Sequence, residues 1–172
     1  AGAAGSVVVK KCCQNRDFFT DIHLASRTFS RCESLQHEID TPISIYELDA
    51  DITSDVVTLI NQIKPQLVIN MALPYQDLSI MNACIQTNVD YMDTANYEAK
   101  DKTGFCYKEQ WELNDAFKNS QIMALLGSGF DPGVTNVFCK YAAEHLFDEL
   151  LAIDIVDCND GSHGHPFATN FN

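Results

Sequence analysis

Ala1-Gly2-Ala3-Ala4-Gly5 is the stretch whose reading decides the fold. In the pattern G-x-G-x-x-G, the second glycine lets the backbone approach a pyrophosphate, and the third lets the following helix pack close to a sheet. Gly2 and Gly5 have the spacing of those two positions, so the first glycine of the pattern would fall one residue before Ala1. About twenty residues further on, an apolar run ends in Ser26-Arg27-Thr28, where such folds choose between nucleotides. An acid there would hold a free ribose 2′-hydroxyl, whereas an arginine accommodates a 2′-phosphate. Arg27 therefore points to NADP(H), and Gly2, Gly5, Ser26, Arg27 and Thr28 become the candidate cofactor residues.

Outward from that turn, short apolar runs alternate with amphipathic stretches, the signature of a parallel sheet flanked by helices. A helix is expected from Gly5 to Gln14, then a strand over Asp21 to Ser26. Cys32, Leu35 and Ile39 mark a helix over Phe29 to Ile39, and Ile43 to Leu48 alternates as a strand. Thr53-Ser54-Asp55 reads as the cap of a helix that ends at Lys64-Pro65. Leu67 to Ala72 reads as a buried strand, Asp77 to Thr87 as a helix and Asp90 to Thr94 as a short strand. Tyr107 to Asn119 follows as one helix, Ile122 to Leu126 as a strand, Pro132 to Phe147 as a long helix and Leu150 to Val156 as a last strand. The fold class expected is α/β, a Rossmann-type doubly wound parallel sheet lacking its first strand. Residues 1–148 would form the nucleotide-binding domain and residues 149–172 the beginning of an α+β substrate and dimerisation domain. The absent strand would be central in the order 3-2-1-4-5-6, so the native polypeptide is expected to extend upstream and downstream of these 172 residues.

Composition narrows the partners. The chain is 46% apolar, enough for a sizeable core, yet has no run of about eighteen apolar residues to cross a bilayer. Its net charge of −13 repels nucleic acid and anionic lipid and attracts cations, although acidity also serves solubility alone. Seven cysteines without C-x-x-C spacing read as reduced thiols of a cytoplasmic protein, with neither a disulfide framework nor a metal site.

Ligands of open α/β sheets bind beyond the carboxyl ends of the strands. Asp51, past the second apolar run, is placed over an adenine edge or in a solvated loop. Ala72 and Pro74 supply a small residue and a bend beside a nicotinamide ribose. Gly127 to Gly133 carries three glycines, with Asp131 at an N-cap and Pro132 at the first helical position, which is sound helix-start chemistry and also an anion site. Asp93 and Glu98 are acids available to an amine. His163 and His165 read as unpaired loop histidines, and no proton donor can be named.

Four blocks carry a resemblance: Asn70 to Leu78 (NMALPYQDL), Tyr91 to Glu98 (YMDTANYE), Leu125 to Thr135 (LLGSGFDPGVT), and Asp154 to Asn159 with Pro166 to Phe171. On these the chain resembles the saccharopine dehydrogenase superfamily, and within it the carboxynorspermidine (carboxyspermidine) dehydrogenases, also called synthases. The resemblance implies a cytoplasmic, dimeric enzyme of polyamine biosynthesis. Its reaction would be NADPH-dependent reduction of the Schiff base between L-aspartate β-semialdehyde and 1,3-diaminopropane or putrescine. By the same resemblance, Asp93, Thr94, Tyr97, Asp131, Pro132 and Gly133 would border the substrate. A dialkyl iminium is electrophilic as it stands, so such a site must hold it, exclude water and stabilise its charge. Two other readings stay open: a saccharopine-type reductase of an amino-acid imine, and a non-catalytic Rossmann fragment.

Overall fold

A computed structural model describes residues 2–101 and 106–156. His163, His165, Cys158 and the Pro166 to Phe171 block lie outside the described residues. Helix α1 (Ala3–Gln14) leads into strand β1 (His23–Ser26), α2 (Phe29–Glu38), β2 (Ser44–Glu47) and α3 (Thr53–Ile63). Strand β3 (Leu67–Asn70) runs through a short 3₁₀ turn, Pro74–Gln76, into α4 (Asp77–Thr87) and β4 (Asp90–Asp93). Helices α5 (Lys108–Trp111) and α6 (Asn114–Asn119), strand β5 (Ala124–Leu125) and helix α7 (Val134–His145) complete the described elements.

All paired strands are parallel, as the alternation of strands and helices requires. They form two sheets, β1–β2 and β3–β4–β5, with His23 opposite Ser44 and Leu67 opposite Asp90. Strands β1 and β3 do not pair with each other, and no described strand lies between them. A groove of about 890 Å³ runs there instead, walled by Leu24 and Ala25 of β1, Val68 and Ile69 of β3, and Val8 and Val9 of α1. The Rossmann-type α/β sheet without its first strand is thus what the chain adopts.

Each sheet has its own core. Val9, Leu24, Cys32, Leu35 and Ile43 close around β1 and α2. A larger cluster joins Val56 and Ile60 of α3, Ile80, Met81, Ala83 and Cys84 of α4, Val89, Tyr91 of β4 and Phe117 of α6. Burial of the second cluster is what the i, i+4 spacing of Val56 and Ile60 encodes. Helices α3 and α4 both end on a left-handed residue, Lys64 and Asn88, which turns the chain back toward the next strand.

Five expectations are corrected. Helix α1 begins at Ala3 with Gly2 as its N-cap, so Gly5 sits inside the first turn. Helix α3 is capped by Ile52, and Thr53 is already helical, because Ile52 keeps the extended backbone an N-cap needs. The stretch 107–119 breaks into α5 and α6, since the Leu113 N–H bonds the Gln110 carbonyl in a tight turn. Helix α7 starts at Val134 behind Gly133, not at Pro132. The Asp131–Pro132 peptide is cis, and Asn136 Oδ1 accepts the Gly133 N–H at 2.9 Å. Leu150 to Val156 is not a strand: an extended segment is stabilised by a neighbouring edge, and this one pairs with none among the described residues, leaving Leu151 and Val156 exposed.

Candidate functional site

The mouth of the groove at the carboxyl ends of β1 and β3 gathers Gly2, Gly5, Ser26, Arg27, Thr28, Ala72 and Pro74. Seven of the eight candidate cofactor residues therefore share one wall system. A side chain on Gly2 would meet nothing within 4 Å, and no protein side chain caps α1 there, so its first N–H groups face open space. Gly5 lies in ordinary van der Waals contact with Met71, which is the helix-to-sheet approach its spacing implied. Free amides at a helix N-terminus, beside a cation at the next strand end, are a donor set that fits a dinucleotide phosphate.

Ser26 Oγ accepts the Thr28 N–H at 3.4 Å, and Thr28 caps α2 with no side-chain bond of its own. Arg27 makes no ion pair among the described residues. Arg31, four residues on and in the first turn of α2, lines the same groove. Arg31 lies four residues beyond Arg27, and reading only the residue after the strand missed it.

Asp51 is the eighth candidate, and it stands outside the lining of the groove. Its carboxylate accepts Gln76 Nε2 at 2.7 Å and pairs with Lys100 Nζ at 2.7 Å, while Lys100 lies 4.4 Å above the Tyr75 ring. The hydrogen bond from Lys100, then that from Gln76, holds the Asp51 carboxyl below the usual carboxylate range. Asp51 thus braces the turn 74–76 against the loop carrying Lys100.

The substrate-side residues do not form one wall. Thr94 lines the groove. Pro132 and Gly133 line a second cavity, also about 890 Å³, with Tyr107, Trp111 and Phe138. Asp131 accepts the Thr135 hydroxyl at 3.1 Å. Asp93 is only 1% exposed, so its carboxylate is internal. The room left by the glycines of the 127–133 turn is taken by the protein itself. Tyr107 Oη and Pro132 occupy the space beside Gly127, Thr94 crowds Gly129, and the Gly129 backbone fills the place of a Gly133 side chain. Gly127 and Gly133 also take positive φ of 64° and 134°.

Beneath this surface runs a buried polar network that sequence reasoning did not find. Asn70 Nδ2 donates to Asp77 Oδ1 at 2.8 Å and to Tyr91 Oη at 3.0 Å, while Asn70 Oδ1 accepts the Ala72 N–H at 2.9 Å. Asp93 accepts the Gly127 N–H at 2.6 Å and Gln110 Nε2 at 2.7 Å. Gln110 Oε1 accepts the Tyr97 N–H at 2.9 Å. Burial, and then the nearby Asp93, push the Asp77 carboxyl up to about 8, and its Oδ2 has no hydrogen-bond partner. Burial also raises Asp93, opposed by the bonds from Gly127, Tyr91 and Gln110. Uncharged amides inside an amphipathic stretch carry no pattern that would have announced this.

No helix among the described residues is long and apolar enough to cross a membrane, and no described cluster of His, Cys, Asp or Glu could hold a metal ion. Burial pushes the Cys84 thiol up to about 12, so that cysteine stays a neutral core residue.

Residues 1–125 match the family described as the saccharopine dehydrogenase NADP binding domain. A carboxyaminopropylagmatine dehydrogenase of Synechocystis sp. is 54% identical over all of this chain and 43% of its own length. A carboxynorspermidine synthase of Vibrio cholerae is 41% identical over 99% of this chain and 44% of its own length. The chain thus spans less than half the length of these curated relatives. Among solved structures, the saccharopine dehydrogenase (L-Glu forming) of Saccharomyces cerevisiae superposes with a TM-score of 0.68 at 16% identity, covering 84% of this chain and 29% of that one, which speaks to fold alone. The parallel sheets, the glycine turn opening α1 and the family match over most of the sequence agree: the chain belongs to the saccharopine dehydrogenase NADP-binding domain family.

Proposed function

We propose that this chain is the NADPH-binding part of a C–N-forming reductase of polyamine biosynthesis. The observation that carries the reading is the groove mouth joining the open N-terminus of α1 to Ser26, Arg27, Thr28 and Arg31. Gly2 and Gly5 would admit the pyrophosphate, Arg27 and Arg31 would pair with the 2′-phosphate, and Ala72 and Pro74 would border the nicotinamide. When bound, NADPH supplies one hydrogen with its electron pair. A protonated C=N bond would accept that hydrogen at carbon and keep its proton on nitrogen, giving a secondary amine and NADP⁺. No proton donor is needed for that step, so the protein's task is placement and exclusion of water.

The electrophile in this reading is the Schiff base of L-aspartate β-semialdehyde with an aliphatic amine. For the amine, 1,3-diaminopropane and putrescine have a competitor in agmatine, which the name of the 54% identical relative carries. That identity exceeds the 41% shared with the norspermidine-named relative, which favours agmatine in this reading. All three are cations, which suits a chain of net charge −13. The test is NADPH oxidation by the complete native polypeptide carrying this chain, given aspartate semialdehyde and each amine in turn. Amine-dependent oxidation, fastest with agmatine, is expected; none with any amine overturns the reading.

A further inference from the structure

Asn70 and Gln110 play matching parts in two separate loops. Each is a buried amide, 4% and 1% exposed, that donates to an internal carboxylate and accepts one loop N–H. The orientation of Gln110 is fixed by its partners, since the Tyr97 N–H can only donate and the Asp93 carboxylate accepts. Through Asp93, the same contact reaches the Gly127 N–H, and the Asp93 carbonyl accepts the Ser128 N–H at 2.8 Å. Gln110 therefore sits where the loop after β4 and the turn after β5 are tied to one strand end. It lies on α5, a helix of four residues whose other side chains, Lys108, Glu109 and Trp111, are not buried. A short helix that buries one amide is held for that amide.

We propose that Gln110 is a positioning residue for substrate: acting through Asp93, it holds the Thr94–Tyr97 loop and the Gly127–Gly133 turn at the separation the reacting C=N bond requires. The inference rests on the proposed reductase reading. It assigns to Gln110 no contact with cofactor, because seven of the eight cofactor candidates line the groove and Gln110 lines only the second cavity. Displacing a placement residue by about 1 Å costs on the order of 10²-fold in rate or affinity for the misplaced partner.

Two variants of the complete native polypeptide test this. Gln110→Leu removes both bonds; KM for the amine and aldehyde should rise about 10–100-fold, with the NADPH Kd, read by nucleotide fluorescence, within twofold of wild type. Gln110→Glu restores the geometry only when protonated, its O–H donating to Asp93 and its other oxygen accepting from Tyr97. Its kcat/KM should approach wild type at acid pH and fall relative to wild type as the new carboxyl ionises beside Asp93. The titratable groups facing Asp93 are Tyr91 on its own strand, Asp77 at the head of α4 and Tyr107 before α5, and all remain in both proteins. Comparison with wild type therefore isolates position 110. An unchanged KM in Gln110→Leu, a wild-type pH profile in Gln110→Glu, or loss of folding and NADPH binding in both variants would overturn the proposal. Wild-type protein that fails to bind NADPH would instead overturn the reductase reading.

Discussion

The two half-sheets solve opposite problems. Around β3–β5, eight buried apolar residues enclose Tyr91, and four buried polar side chains (Asn70, Asp77, Asp93 and Gln110) are wired to one another and to three loops. Around β1–β2, five buried residues suffice, none is polar, and the chemistry-bearing groups Ser26, Arg27, Thr28 and Arg31 face the groove. One half uses its carboxyl edge to fix backbone; the other uses it to present side chains. Sites that must choose between nucleotides need reachable groups, whereas sites that must place a reacting bond need rigid ones.

The sharpest break of this comparison is pH. The Asp77 carboxyl is raised to about 8 in the folded chain and has an ordinary value near 4 when unfolded. Below about pH 4 both states hold the proton and the neutral acid's contribution is complete. Between about 4 and 8 the unfolded chain loses it while the folded chain keeps it, so stability falls by about 1.4 kcal/mol per pH unit and then levels. Chemical denaturation across that range should show the slope in wild type, and Asp77→Asn should flatten it. A slope unchanged in Asp77→Asn would remove Asp77 from the account.

Next in size, Asp93→Ala strands Gln110 Nε2 and the Gly127 N–H inside the protein. A loss of about 2–4 kcal/mol in unfolding free energy is expected. Ser26→Ala, in the other half, should cost under about 1 kcal/mol by the same measurement, and equal losses would erase the contrast drawn here.

A smaller effect sharpens the presenting half. Arg27→Ala should weaken NADPH by about 10–100-fold and leave NADH within about threefold, as read by titration of both nucleotides. Equal loss for both would mean that Arg27 does not touch the 2′-phosphate. Smallest of all, Lys100→Ala should leave the unfolding midpoint indistinguishable from wild type, since its pair with Asp51 is solvent-exposed.

How much of this was legible in the sequence differs between elements for physical reasons. Asp77–Thr87 and Phe29–Glu38 were read almost to the residue, the second because its periodicity meets a core on one side only. The arginine after β1 was legible because strand ends in parallel sheets face ligands by topology. The apolar run of Leu150 to Val156 was equally clear, yet a strand is a property of two segments side by side. Asp131-Pro132 reads as helix-start chemistry, but Gly133 and Asn136 supply the cap instead. Asp93 looks like a surface acid until Gln110 and Gly127, 17 and 34 residues away, arrive at its oxygens. Long-range pairing of this kind leaves no local trace.

The unpaired edges of β1 and β3 carry one more consequence. Whatever settles along the groove touches both halves at once, so its binding energy counts toward holding them together. Such a protein gains apparent stability as RT ln(1 + [L]/Kd), about 2.7 kcal/mol at a hundredfold excess over Kd. Its melting temperature becomes a gauge of its nucleotide supply.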